Sequence, residues 1–116
     1  MSKKDELSYL QDMLAYSRRA HERIRGISVA EFEQRDLLSE SAVFLLTVVG
    51  EAASNVSKRT RDLHPEIPWS RITGMRHRLV HNYSEINRAI VWDTLSTDLP
   101  PLIRALEAIL SSEPAP

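Results

Sequence analysis

The segment from Ala42 to Val56 constrains the fold of this chain more than any other part of the sequence. Its apolar residues follow one another so closely that a helix here is hydrophobic on nearly every side. Such a helix must be covered on every side. A chain of 116 residues can build only one core. We therefore expect a second subunit to cover part of this helix.

Few helix-breaking residues interrupt the rest of the chain. It has 3 Gly and 6 Pro, and its apolar residues recur with helical spacing. The sequence predicts an all-α fold, an antiparallel helical bundle forming one domain over residues 1–111, with a frayed tail at 112–116. The predicted helices span roughly residues 4–25, 29–34, 36–62, 69–80, 88–97 and 98–110.

Three short signals mark helix ends within this pattern. Gly26 follows the first helix, where glycine often ends a helix. Ser28 and Glu31 have the spacing of a capping box that opens a short second helix. Asn87 is a good N-cap for the helix that follows the segment 82–86, which is predicted to be a loop.

The charge balance and the missing residue types exclude several functions. Lys and Arg number 15 against 16 Asp and Glu, so the protein is not a globally basic nucleic-acid coat, although a local basic patch remains possible. The absence of Cys excludes disulfides, cysteine zinc sites and a thiol nucleophile. No apolar signal segment follows Met1, and the apolar run 42–49 is too short to span a bilayer. We expect a cytoplasmic protein with no cofactor and no membrane contact.

The segment 74–83 contains the most informative polar residues. On a helical wheel, Arg76 falls between Ile72 and Val80, inside the apolar arc of the helix 69–80. Arginine is almost never buried without a partner. Arg76 therefore either pairs with a buried acid, for which Glu51 in the apolar segment is the candidate, or points into a cleft that binds an anion.

His81 and Arg76 together suit the cleavage of RNA without a metal ion. His81 is expected at the end of the helix, where an arginine side chain can reach toward it, and Arg71, Arg78 and Arg88 make the region basic. A histidine with a near-neutral pKa can take the proton of a ribose 2′-hydroxyl. A guanidinium can hold the phosphate and stabilise its developing charge. A structural role for both residues remains open at this point.

The pattern R-x-x-x-x-H-x-Y, formed by Arg76, His81 and Tyr83, resembles the motif of HEPN-domain ribonucleases, in particular their HepT-like toxin branch. Further segments resemble landmarks of that family in the same order. They are residues 49–53, 64–69, 74–83, 90–94 and 98–100.

The resemblance implies a dimeric helical bundle in which two copies of the motif meet in a shared cleft. It implies a metal-independent endoribonuclease that acts as the toxin of a toxin–antitoxin pair, with Arg76 and His81 as the catalytic pair. His77 corresponds to the polar residue after the arginine, which is often Asn in the family. Tyr83 matches the tyrosine that a cognate minimal nucleotidyltransferase antitoxin can modify with AMP. We expect Arg78 to support RNA binding and Glu51 to orient the basic pair.

Two alternatives stay open. His77, His81 and Glu85 are spaced by four residues, so one continuous helix would align them as a metal site. A non-catalytic dimeric module that binds a nucleotidyltransferase partner would keep the fold without the activity.

Other residues with possible nucleic-acid roles have simpler interpretations. Trp69 and Trp92 are expected to be core or interface residues rather than stacking platforms for bases. The basic clusters 18–19 and 58–61 are expected to be solvated, although they could extend an RNA track.

Overall fold

The computed structural model describes residues 3–82 and 84–112, and nearly all regular structure within them is helical. The predicted all-α class is therefore confirmed. The described residues form, in chain order, α1 (Lys3–Glu22), α2 (Val29–Glu33), α3 (Asp36–Ser54), α4 (Lys58–Leu63), α5 (Trp69–Thr73), α6 (Met75–Leu79), β1 (Val80–His81), β2 (Glu85–Ile86), α7 (Arg88–Asp93), a π-helical turn (Thr94–Asp98) and α8 (Leu99–Ser112).

Helices α1 and α3 form the centre of the fold and run antiparallel. At one end, Arg23 donates from Nε to Ser41 Oγ of α3 at 2.9 Å. At the other end, the backbone N–H of Ser57, just beyond α3, donates to Glu6 Oε1 of α1 at 3.0 Å. Because the end of each helix meets the start of the other, the two helices point in opposite directions, as a bundle requires.

The core lies between α1, α3 and α8, and the shorter helices close it. Helix α1 packs against both α3 and α8, while α3 also contacts α5, α6 and α7. Burial of these apolar faces is the main force that holds the bundle together. The largest fully buried hydrophobic side chains are Met13, Phe32, Leu45, Leu46, Ile67, Leu79, Leu95, Leu99 and Leu106.

Helix α3 is covered on one side only. Leu45 and Val49 are completely buried, whereas Phe44 is 62% exposed and Leu37 is 84% exposed. By length and composition α3 could cross a membrane. Its buried side nevertheless packs on α1, as in the core helix of a globular domain. The described part of this chain therefore leaves one apolar side of α3 uncovered, although the sequence predicts that every side is covered.

The predicted helix 36–62 is wrong at residues 55–57, because α3 ends at Ser54 and α4 begins at Lys58. The side chains of Ser54 and Asn55 both donate to the backbone carbonyl of Glu51, at 2.7 and 2.9 Å, and so satisfy a carbonyl in the last turn. Ser57 then adopts an extended backbone (φ −67°, ψ 157°), and its Oγ caps α4 by accepting from Thr60 N. Apolar periodicity does not reveal this interruption.

The predicted helix 69–80 is also wrong, because it is two five-residue helices separated at Gly74. Gly74 donates its N–H to Ser70 O at 3.0 Å. A Cβ at position 74 would lie 3.2 Å from that same carbonyl, so glycine permits the close approach. The second helix then stops at Leu79, since Val80 is extended (φ −119°, ψ 122°).

The predicted loop after residue 81 belongs to a short β-hairpin. Val80 pairs with Ile86 and His81 with Glu85 in antiparallel register. Asn82 begins the turn with a φ of 52°, a left-handed conformation that Asn adopts more readily than most residues. The hairpin therefore holds His81 in a strand rather than in the last turn of a helix.

Two of the three helix-end signals of the sequence are confirmed. Ser28 and Glu31 form the capping box of α2. The prediction that Gly26 ends the first helix is wrong, because α1 ends at Glu22 and Gly26, with a φ of 72°, closes the turn that follows it. Asn87 Oδ1 accepts from Ile90 N and caps α7. Helix α8 reaches Ser112, the first residue of the predicted tail, and residues 113–116 lie outside the described part of the chain.

Replacing Phe32 by alanine is expected to lower the free energy of unfolding by about 3–5 kcal/mol. Phe32 is fully buried, and its ring lies 5.5 Å from that of Trp92, so the substitution leaves a cavity under α2. Urea unfolding followed by circular dichroism measures the change.

Val29→Ala on the same helix is the control for this prediction. Val29 is 45% exposed, so its truncation should cost less than about 1 kcal/mol. Equal losses in the two variants would show that Phe32 does not anchor α2 to the core.

Candidate active site at α6 and the hairpin

The predicted catalytic residues lie on α6 and on β1, next to the uncovered side of α3. Arg76 is in the middle of α6 and His81 is the second residue of β1. Both side chains are exposed. The break at Gly74 and the end of the helix at Leu79 confine α6 to a single turn and place His81 beyond it. The expectation that His81 follows the helix end is confirmed.

The prediction that Arg76 lies within a buried arc is wrong. Val80, which set one edge of that arc, is in a strand, so the arc ends with Ile72, Met75 and Leu79. Arg76 therefore lies outside this arc, on the side of α6 that faces solvent. It forms no ion pair with another described residue and lines an open recess of about 390 Å³. Of the two possibilities drawn from the sequence, the structure agrees with an arginine that faces a cleft.

Glu51 is not the buried partner of this arginine. Its side chain is exposed near the end of α3, and its backbone carbonyl rather than its carboxylate receives the hydrogen bonds described above. The apolar segment around it has an outer side, and Glu51 lies on that side. The prediction that Glu51 is a buried orienter of the basic pair is therefore wrong.

The recess beside Arg76 contains residues that sequence reasoning did not select. Phe44 and Thr47 come from α3, and Ser84 comes from the hairpin turn. They were missed because the apolar run of α3 was expected to be buried throughout. A signal was present, since Leu37, Phe44 and Glu51 recur every seven residues and share one side of the helix.

His77 and Arg78 follow Arg76 on α6, and neither side chain lines the recess at Arg76. His77 is exposed. Arg78 is two positions from Arg76, about 200° around the helix, and donates from Nη2 to Arg71 O at 3.0 Å. Burial, followed by the charge of Arg71, lowers the pKa of Arg78, and Asp98 partly offsets this. If Arg78 binds RNA, as the sequence predicts, it does so on the side of α6 opposite to Arg76.

The basic region around the site is smaller than the sequence suggests. Arg71 pairs with Asp98 at 3.2 Å. Arg88 pairs with Asp36 of α3 and also donates to the carbonyl of Glu33. These pairings leave Arg76 as the arginine of this segment that lines the recess without an ion pair to another described residue, and Glu40 of α3 is the acidic residue of the same lining.

The metal-site alternative lacks the helix on which it depended. Helix α6 ends at Leu79, so His77 and His81 are not one turn apart, and His81 instead lies opposite Glu85 in the hairpin. Within residues 3–82 and 84–112, no group of three His, Asp or Glu residues has the geometry to hold a metal ion.

Other predicted residues have structural surroundings. Trp69 is buried and donates from Nε1 to His64 O at 3.0 Å, and Trp92 packs on Phe32, which confirms both as core residues. In the basic clusters, Arg18 pairs with Glu107 and Lys58 with Asp62 on the surface. Tyr83, the predicted modification site, lies outside the described residues.

Comparisons with known proteins give matches along nearly the whole chain. The family model described as ribonuclease HepT-like matches residues 13–109. A protein of Caldanaerobacter subterraneus subsp. tengcongensis described as an RNase is 35% identical over 105 residues, which cover 90% of this chain and 94% of that protein. A Thermococcus cleftensis protein described as a probable ribonuclease HepT is 30% identical, covering 86% of this chain and 91% of its own length. No solved structure gives a significant match.

The match covers the bundle core, α6 and the hairpin, and the relatives align over nearly their full lengths. The chain therefore belongs to the HepT-like ribonuclease family and is an endoribonuclease.

Proposed function

We propose that the protein cleaves RNA without a metal ion, using Arg76 and His81 in a cleft between two copies of the chain, and that it is the toxin of a toxin–antitoxin pair. The observation that carries this proposal is the position of Arg76. Its side chain is exposed, lines an open recess and makes no ion pair with another described residue, while Glu40 of α3 lines the same recess. This is the state in which a guanidinium is ready to bind a phosphate.

The chemistry follows from the two side chains. The imidazole of His81 accepts the proton of a ribose 2′-hydroxyl, and the 2′-oxygen attacks the adjacent phosphorus. The bond to the 5′-oxygen breaks, and that oxygen takes a proton from water or from a protonated imidazole. Arg76 stabilises the negative charge that develops on the phosphoryl oxygens. The products carry a 2′,3′-cyclic phosphate and a 5′-hydroxyl, and DNA is not cut because it lacks the nucleophile.

The uncovered side of α3 supports the proposed dimer. Phe44 and Leu37 are large apolar side chains that remain exposed, and exposed apolar patches commonly mark interaction surfaces. Phe44 also lines the Arg76 recess. An interface of two identical chains across this face would bring both recesses next to the two-fold axis, as a shared cleft requires.

Control by an antitoxin is proposed to act at Tyr83. Position 83 lies between Asn82 and Ser84, which are exposed residues of the hairpin turn, and it is two residues from His81. AMP on its hydroxyl would add bulk and a negative phosphate close to the site that binds the RNA phosphate. Like charges would then weaken RNA binding.

The purified protein is expected to cleave RNA in EDTA, and His81→Ala is expected to lower the rate by about 10²–10⁴-fold, the usual contribution of a general base. Mapping of the new ends should show cyclic phosphates. Arg76→Lys should also lose activity, because lysine keeps the charge without the two-pronged geometry.

His21→Ala, near the end of α1, is the control for a histidine outside the site. Circular dichroism should show that all three variants remain folded. Activity that requires an added divalent metal would overturn the proposed chemistry. Equal, negligible cleavage by the parent protein and His81→Ala would instead favour the non-catalytic module that binds a nucleotidyltransferase.

Phe44→Glu is expected to convert the dimer into a monomer and to lower RNA cleavage. A carboxylate in the middle of the apolar face of α3 would be buried without a partner if the interface formed. Light scattering on the eluate of a sizing column measures the molar mass.

Leu63→Glu is the matched control, since Leu63 is 65% exposed at the end of α4 and away from α3. It should leave the molar mass unchanged. A Phe44→Glu variant that is still dimeric would place the dimer interface elsewhere.

Co-expression with the nucleotidyltransferase of the same toxin–antitoxin pair is expected to add AMP to Tyr83 and to suppress cleavage. Intact-mass spectrometry measures the addition. Tyr83→Phe should remain at its unmodified mass, whereas Tyr16→Phe should still be modified. Addition of AMP to Tyr83→Phe would assign the modification to another residue.

A further inference from the structure

A second recess, the α5–α8 groove, lies on the opposite side of α6 from Arg76. Its volume is about 370 Å³, within the size range of small-molecule sites. It shares no lining residue with the Arg76 recess. Its apolar surface is formed by Ile67, Ile72, Met75, Leu99, Leu102 and Ala105.

Of the two arginines that line this groove, Arg78 is the one without an ion pair to a described residue. Arg71 and Asp98 form an ion pair at 3.2 Å. Glu66, the second carboxylate of the lining, is half exposed to solvent and lies 3.7 Å from His64 Nδ1. Arg78 also lines the groove, but its hydrogen bond goes to a backbone carbonyl, and it has no ion pair with a described residue.

The guanidinium of Arg78 is partly removed from water, and this is the largest cause of its lowered pKa. The neighbouring charge of Arg71 acts in the same direction. Asp98 offsets part of this shift. A bound anion would replace the solvation that the Arg78 guanidinium has lost. Charge-assisted hydrogen bonds of this kind are stronger than those between neutral groups.

The wall of the groove is built by an unusual backbone. The π-helical turn Thr94–Asp98 carries two of the lining residues, Thr94 and Asp98. π-Helical turns are rare and occur frequently at functional sites, because the wider turn changes the direction of side chains. Two segments that the RNA-cleavage site does not use, 64–69 and 98–100, also meet here through Ile67 and Leu99.

We propose that the α5–α8 groove binds a small organic anion, with an apolar body against α5 and α8 and a single anionic group on Arg78. The apolar lining fits the body and the unpaired guanidinium fits the anionic group. This site is distinct from the RNA-cleavage site and does not depend on its assignment.

Titration of the 13.2 kDa protein with small probes, followed by two-dimensional NMR of the backbone amides, tests the proposal. Octanoate and 2-naphthoate present one carboxylate on an aliphatic or an aromatic body, and they distinguish the two kinds of ligand. Octanamide lacks the charge and acetate lacks the body. We expect at least one of the two larger carboxylates to bind saturably and to shift the amides of Ile72, Met75 and Ala105, while the two truncated probes bind more weakly.

Two variants test separately the positive charge of Arg78 and the volume of the groove. Arg78→Gln should weaken binding of the carboxylate by about tenfold or more, the usual value of a charged hydrogen bond. Ala105→Leu should abolish binding by filling the groove without changing a charge. Arg104→Gln, which removes an exposed charge from α8 outside the groove, should bind as the parent protein does.

The proposal is overturned if neither carboxylate binds in the millimolar range. It is also overturned if octanamide binds as well as octanoate does, or if Arg78→Gln binds as tightly as the parent protein. If Ala105→Leu lowers the molar mass measured by light scattering, a second copy of the chain fills the groove, which equally contradicts it. Thermal melts measure whether each variant is folded. If either Arg78→Gln or Ala105→Leu fails to fold, the other variant still tests the proposal.

Discussion

The antiparallel contact between α1 and α3 is the constraint on which the other elements depend. It is tied at both ends by polar groups, with Arg23 bonded to Ser41 and Ser57 bonded to Glu6. The contact buries one side of α3 and leaves the other side exposed. The short helices α5 and α6 pack on α3, and α6 carries Arg76. The exposed side of α3 and the proposed cleavage groups are therefore neighbours because of how the core is built.

Two glycines set how closely the site helices approach their neighbours. A Cβ at Gly50 on α3 would lie 3.1 Å from the backbone carbonyl of Ile72, so glycine allows α5 to pack tightly on α3. Gly74 allows the break between α5 and α6. Without this break, a continuous helix would carry Arg76 and Arg78 in a different phase relative to α3. Arg76 and Arg78 enter different recesses because they are about 200° apart on α6, and the two glycines set where α6 lies against α3.

Much of the fold could be predicted from the sequence, because helix periodicity and capping chemistry are local. The capping box at Ser28, the cap at Asn87 and the all-α class are examples. The ends of the helices at Ser54 and Leu79 could not be predicted, since the apolar pattern continues across both of them. The end at Leu79 removes Val80 from the arc that was expected to bury Arg76, and Glu51 is exposed because α3 is covered on one side only.

The candidate site was predicted only in part, because exposure depends on contacts between distant parts of the chain. Arg76 and His81 were selected from their chemistry and from the motif that they form with Tyr83. Phe44 was not selected, because the sequence shows that this residue is apolar but not that the fold leaves it exposed. The groove at Arg78 depends on the stretches 66–78 and 94–105 meeting in space, and no spacing along the chain predicts it.

The short elements around the site have a consequence for how different parts of the molecule open. Helices α5 and α6 have no side-chain cap at their starts, and the hairpin strands have two residues each. Such elements exchange their amide hydrogens through small local openings, whereas the long helices α1, α3 and α8 exchange only when most of the core opens. The proposed cleavage groups therefore lie on elements that open by small local movements. Such movements would let these groups fit an irregular RNA strand while the bundle beneath them stays intact.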